Sequence, residues 1–285
     1  MSKLSFKKIV VPIALIFVSF QVLKKCSFYA LPTERLSAFE IDIDESYDNG
    51  EYQLIIRNPV DCPLRFFLNC QNEEVNEILN AISPVLLGAK SDTSIIIKDK
   101  GDLKGKIGLS LKWGDPELPI LSTQIGSLPY PSGKSYKLLQ GNNSNPTHNH
   151  QGSRYAFDFT LTVGDTVTSA QDGYVIGVVD GYKGWGMSDK WKSFGNQIII
   201  YDTTSHLFTM YGHLKQHGSL VDVGDYVRIG QPIALSGKTG QTTEEHLHFN
   251  VLQADRGKRG LKSYALDSIG TYKVDQLKRC QWMKN

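Results

Sequence analysis

All seven histidines of the 285-residue chain fall in its second half: His148, His150, His206, His213, His217, His246 and His248. An imidazole can ligate a metal or exchange a proton near neutrality, so their crowding asks whether several share one site. The segment Glu245-His246-Leu247-His248-Phe249-Asn250-Val251 carries H-x-H on an alternating strand. Side chains two apart on a strand point to the same face. His246 and His248 would then look into one cleft while Leu247 and Phe249 enter the core. Such a pair suits one metal ligand and one proton-handling group. By itself, H-x-H equally describes two exposed strand histidines.

Two further segments add to it. Tyr211-Gly212-His213-Leu214 closes another apolar strand, and Pro146-Thr147-His148-Asn149-His150 precedes Tyr155-Ala156-Phe157-Asp158-Phe159. Asp158 sits between aromatic residues, where a lone carboxylate is costly to bury. A metal accounts for it. One His, one Asp and a further His, with a fourth position left to water, make an open catalytic zinc site. His206 and His217 fall in expected loops and read as solvated surface residues. Asn196 fits a cleft wall or a turn after Gly195 equally well.

From about Gln140 to Val251 the chain resembles the lysostaphin-type zinc endopeptidases, the M23 or LytM-domain peptidases. The resemblance rests on ordered segments. After His148…Asp158 come Val163-Gly164-Asp165-Thr166-Val167, Ala170-Gln171-Asp172-Gly173-Tyr174-Val175 and Gly195-Asn196-Gln197-Ile198-Ile199-Ile200. Tyr211-Gly212-His213-Leu214, Val223-Gly224-Asp225-Tyr226-Val227 and Gly230-Gln231-Pro232-Ile233-Ala234 follow. Ser236-Gly237-Lys238-Thr239-Gly240 and His246-Leu247-His248-Phe249 complete the series. The resemblance implies one zinc ion held by His148, Asp158 and His248, with His213 and His246 as catalytic groups that handle the proton and stabilise the oxyanion. It also implies peptidoglycan peptides as substrate. The family's compact H-x-x-x-D is stretched here, so His150 competes with His148; His148 is preferred because it directly follows Pro146-Thr147. Glu244-Glu245 replaces a common Gly-Pro. A LytM-like regulator that recruits or activates another wall hydrolase without cutting is the alternative, and the complete ligand set favours the enzyme.

The expected fold is mainly β: an N-terminal β-sandwich-like domain followed by a small antiparallel β-sheet catalytic domain with an open groove. Residues 38–125 form the accessory domain, 136–253 the peptidase domain and 254–285 a C-terminal extension. In the first domain, Phe39–Ile43, Tyr52–Ile56, Leu64–Leu68, Ser94–Ile97 and Gly105–Trp113 read as short strands with turn signals between them, such as Asp48-Asn49-Gly50. Glu73–Leu87 is the best helix candidate. Pro119–Pro131 reads as a linker. Strands follow at Gly173–Val179, Gln197–Tyr201 and Leu207–Tyr211, with little helical periodicity.

Composition narrows the partners. A net charge of +2, with 31 basic against 29 acidic residues, gives no electrostatic case for nucleic acid. Residues 1–30 read as a signal peptide or signal anchor: Lys3, Lys7 and Lys8 precede the apolar run Ile9–Leu23, and Lys24, Lys25 and Cys26 follow without a good cleavage site. Both versions put the rest outside the cytoplasm, the uncleaved one held on the cytoplasmic membrane. Cys62 and Cys70 are close enough in sequence for a local disulfide in an oxidising compartment, and Cys26 and Cys280 would pair or stay free.

Overall fold

The computed structural model describes residues 29–285, so the expected signal segment and Cys26 lie outside the described residues. No helix among the described residues is long and apolar enough to cross a membrane.

The first domain opens with a hairpin of β1 (Asp42–Asp48) and β2 (Glu51–Arg57). Its two-residue turn is Asn49-Gly50, both with positive φ (48° and 82°), the conformation whose twist matches that of flanking strands. β1 starts later than the Phe39–Ile43 expectation; Phe39 instead stacks edge-on against Trp113, ring centroids 5.0 Å apart. Next come β3 (Leu64–Cys70), helix α1 (Glu73–Ile82), β4 (Val85–Leu87), β5 (Asp92–Lys98) and β6 (Ile107–Trp113). Two three-stranded sheets result, β1-β2-β5 and β4-β3-β6. Tyr52, Leu54 and Ile56 of one meet Leu64, Phe66 and Leu68 of the other, with Val75 and Leu79 of α1 filling the same core.

Two expectations are corrected here. The helix expected over Glu73–Leu87 stops at Ile82. It is capped at its start by Asn72, whose side chain accepts from Val75 N at 3.0 Å. Pro84 has no N–H to continue it and disfavours a helical Ser83, so Val85–Leu87 becomes a strand on β3. Cys62 and Cys70 are free thiols, not a disulfide. The extended strand β3 lies between them, and at about 3.3 Å per residue it holds them far beyond the roughly 7 Å a disulfide tolerates.

The second domain contains β7 (Gln124–Ile125), β8 (Ser135–Gln140), β9 (Phe157–Phe159), β10 (Thr166–Thr168), β11 (Gly173–Val179) and β12 (Trp185–Gly186). β13 (Gln197–Tyr201), β14 (Phe208–Gly212), β15 (Leu214–Ser219), β16 (Tyr226–Val227), β17 (Pro232–Ser236) and β18 (Gly240–Gln241) follow. The last are β19 (Leu247–Ala254), β20 (Leu261–Ser263), β21 (Ser268–Ile269), β22 (Tyr272–Lys273) and β23 (Trp282–Lys284). Eight strands run in the order β16-β11-β13-β14-β19-β9-β8-β23, and β20 adds a ninth beside β19. Residues 254–285 thus supply strands to this sheet, and Tyr130 of the 119–131 segment is buried and donates to Met283 O at 2.8 Å. Ile125 and Leu128 join the same core.

The sheet is buried on both faces along β13, which is why Ile198-Ile199-Ile200 reads as an unbroken apolar run. Ile198 and Ile200 enter the second domain's own core with Tyr211, Phe249 and Val251. Ile199, Tyr201, Phe208 and Leu252 point to the opposite face, where the first domain's core covers them.

Arg65 locks the two domains together. It is 4% exposed, and its guanidinium donates to the carbonyls of Gly114 (2.8 Å), Trp113 (3.0 Å), Asp255 (3.0 Å) and Gly260 (3.0 Å). Two of these acceptors belong to the β19–β20 hairpin. Replacing Arg65 with Met keeps the apolar stem and strands four buried acceptors, so the variant should lose about 3 kcal/mol or more of stability. A urea midpoint equal to that of the parent chain would show that this clamp does not hold the domains.

Candidate metal centre

The same face that carries the first domain at one end is open at the other. Strand alternation puts Leu247 and Phe249 of β19 in the core and His248 on the open face. His248 pairs in register with Asp158 of β9 on one side and Gly212 of β14 on the other. Asp158 likewise alternates with buried Phe157 and Phe159. Cross-strand neighbours on one face have Cβ atoms about 5 Å apart, so the register alone brings imidazole and carboxylate together. Gly212 packs beside His248, where a Cβ would lie 3.4 Å from that of His248, in ordinary contact.

Asp158 is 4% exposed and gathers three imidazoles. His248 Nδ1 lies 2.9 Å from Oδ1, His148 Nε2 3.3 Å from Oδ2 and His246 Nε2 3.8 Å from Oδ1. Burial would raise the Asp158 carboxyl, but the imidazoles of His148 and His248 facing it outweigh burial and hold it far below the usual carboxylate range. Burial would lower His148, but Asp158 beside it raises it instead.

Backbone carbonyls fix the tautomers. A carbonyl only accepts, so each ring nitrogen facing one carries the proton. His148 Nδ1 donates to Gly141 O (3.0 Å), His213 Nδ1 to Thr239 O (2.7 Å) and His246 Nδ1 to Glu244 O (3.1 Å). In the neutral rings each Nε2 is then a lone pair. His148 Nε2 is fully buried, has no hydrogen-bond partner among the described residues and faces a carboxylate oxygen. Two acceptors aimed at each other in a buried place call for a cation between them. His148, Asp158 and His248 each offer a ligand atom, and these lie within 4.8 Å of one another. Two imidazoles and one carboxylate are a donor set suited to zinc.

His213 sits next to the trio, its ring centroid 4.6 Å from that of His246 and 5.9 Å from that of His248. It follows β14 in the left-handed region, φ 59°, which turns the ring off the strand and into the cleft. Burial, together with His246 and His248, pushes its pKa down to about 3. Burial likewise lowers His246, against the pull of Asp158. Both are favoured in the neutral form and leave Nε2 unprotonated.

His150 is turned away from the trio: it is exposed and its Nε2 faces Ser153 Oγ at 3.1 Å. His206 is tied to Pro119 O (2.7 Å), fastening the 119–131 segment, and His217 is exposed on β15 rather than in a loop. Asn196 meets the first of its two expected roles and not the turn. It lines the cleft, yet its side chain is spent on the backbone of Tyr182 and Leu214. Gly141 and Ser153, and Thr239 in its role as acceptor, have no residue-type signature in the sequence, because they act largely through backbone oxygens or short hydroxyl contacts. The cleft has a volume of about 770 Å³, and its walls come wholly from residues 139–279, so the first domain does not cover it.

The chain is similar in sequence to known proteins. A model of "Peptidase family M23" matches residues 152–259, beginning just after His148. Peptidoglycan DD-endopeptidase ShyB of Vibrio cholerae is 32% identical over 192 residues, 66% of this chain and 39% of that protein. Lysostaphin of Staphylococcus simulans is 33% identical over 117 residues, 40% of this chain and 21% of its own length. A crystal structure of the lysostaphin catalytic domain aligns with 46% of this chain and 87% of its own, at 27% identity and a TM-score of 0.33. Murein hydrolase activator EnvC of Escherichia coli is 25% identical over 162 residues, 54% of this chain and 34% of that protein. The chain thus spans less than two fifths of the length of these curated relatives.

The two early histidines separate by metal content. His148→Ala should purify with little or no zinc, and His150→Ala with about one ion per chain, as read by elemental analysis. The reverse pattern would transfer the ligand role to His150.

Proposed function

From the premise that the chain belongs to peptidase family M23, we propose that it is a zinc endopeptidase cutting peptide bonds of peptidoglycan outside the cytoplasm. The observation that carries this reading is the buried, cation-demanding trio of His148, Asp158 and His248 at the floor of an open cleft. Those three residues hold the ion, and their arrangement leaves room on the cleft side for water and substrate. Bound there, zinc supplies a Lewis acid that acidifies a water and polarises a carbonyl.

The chain's own residues do the rest. His246 and His213, held neutral by burial, present Nε2 toward the cleft while a backbone carbonyl occupies each Nδ1–H. Each can take a proton at Nε2 and, once protonated, donate it to an oxyanion or a leaving amine. Tyr211, two residues before His213, is buried and its hydroxyl accepts from Ala170 N (2.8 Å), so it anchors the strand rather than the substrate. The name of ShyB, a peptidoglycan DD-endopeptidase, supplies the wall substrate; that of EnvC supplies the alternative of an activator. The complete donor set favours hydrolysis.

Mass spectrometry of purified wall fragments tests this directly. The zinc-loaded chain should release peptides cut at one type of bond. His213→Ala and His246→Ala should keep zinc and slow cleavage by about 10²–10⁴-fold. A chain that leaves the wall intact while stimulating another hydrolase would establish the activator reading instead.

Acidification gives a second expectation. His213 and His246 resist protonation, whereas His148 is shifted upward, so protons compete for it from above the ordinary histidine value as the pH falls. Zinc content and activity should therefore decline together. Activity lost while zinc stays bound would place the critical proton elsewhere.

A further inference from the structure

Three cationic side chains line the cleft: Lys192, Arg259 and Arg279. Lys192 is neutralised by Asp189 at 3.1 Å. Arg259 and Arg279 have no carboxylate partner among the described residues, although both are exposed and acidic residues are plentiful. Outside the trio, Glu244 is the other unpaired acid of the cleft wall, and it lies beside His246.

Both arginines stand at the rim beside the loop that carries His148. Arg279 Nε donates to Leu139 O (3.1 Å), which leaves its terminal nitrogens free. Leu139 leads directly into the Gly141–Ser153 loop that carries His148. Arg259 Nη1 lies over Gly152 of that loop: a Cβ at Gly152 would come within 2.6 Å of it and within 3.5 Å of His150 Nδ1. The hairpin bearing Arg259 is fixed from the other domain. Arg65 takes the carbonyls of Asp255 and Gly260, and Lys112 Nζ reaches Gly257 O at 3.3 Å. Guanidinium groups kept unpaired on a supported frame are suited to a carboxylate, which they grip with paired N–H bonds.

We propose that Arg259 and Arg279 are specificity-determining residues that bind a free carboxylate of the peptide, so that the chain selects acidic peptides over their amidated forms. This rests on the peptidase reading and adds to it a preference within the substrate class. It also gives the first domain a part in the site, because its Arg65 and Lys112 hold the hairpin on which Arg259 stands.

The test uses the full zinc-loaded chain and defined wall peptides, each prepared with free carboxylates and with the C-terminal or a side-chain carboxylate converted to carboxamide. Calorimetry reads binding, and mass spectrometry reads cleavage. The free-carboxylate peptide should bind roughly 10- to 100-fold more tightly than one of the amidated forms, and which form loses affinity identifies the carboxylate. Arg259→Gln with Arg279→Gln should bind both equally, at unchanged zinc content and thermal midpoint, and Arg→Lys at both positions should keep part of the preference. A parent chain without any carboxylate preference, including one that binds neither form, overturns the inference, as does a double variant that keeps the full preference. Preference without cleavage would sink the proposed reaction and leave the anchor standing.

Discussion

Asp158 is a carboxylate buried on a strand between two core phenylalanines, and its two oxygens face three imidazoles. Burying such a charge without compensation costs far more than a domain's stability can absorb. The surrounding structure supplies the compensation. Register sets His248 beside it, a backbone carbonyl turns the lone pair of His148 toward it, and the remaining mismatch of acceptors is what a bound cation removes. The centre is therefore built into the sheet as much as placed upon it.

That requirement shapes the architecture around it. One face of the nine-stranded sheet carries both the centre and the first domain. The sandwich core closes over Ile199, Tyr201, Phe208 and Leu252, has Met210 at its margin, and stops short of Gln197 and Gly212, which line the cleft. The first domain thus flanks the site without covering it. Its Arg65, with four carbonyl partners and no acid within salt-bridge distance among the described residues, ties the sandwich to the β19–β20 hairpin. The strand that places His248 continues into that hairpin, so the domain contact and the metal centre share one element.

Much of this was legible in the sequence because strand alternation converts directly into geometry. H-x-H on an alternating segment and Phe157-Asp158-Phe159 each fix which side chain faces the cleft, and the unbroken Ile198–Ile200 run announces a strand covered twice. What could not be read depends on atoms without a residue signature. The carbonyls of Gly141, Thr239 and Glu244 fix three tautomers, and nothing in their residue types reveals it. The crossing of residues 254–285 back to β8 is likewise a matter of long-range pairing. The helix over Glu73–Leu87 was overextended because Pro84 interrupts an apolar stretch that continues as a strand. Proximity in sequence suggested bonding Cys62 to Cys70, when an extended strand is the arrangement that keeps such neighbours apart.

The central claim is that one zinc ion sits between His148, Asp158 and His248. Anomalous diffraction on either side of the zinc absorption edge locates such an ion without reference to activity. The account predicts one peak per chain, about 2.0–2.2 Å from His148 Nε2, an Asp158 oxygen and His248 Nδ1. A zinc-loaded crystal with its peak centred on His150, His213 or His246, or with none in the cleft, would contradict it.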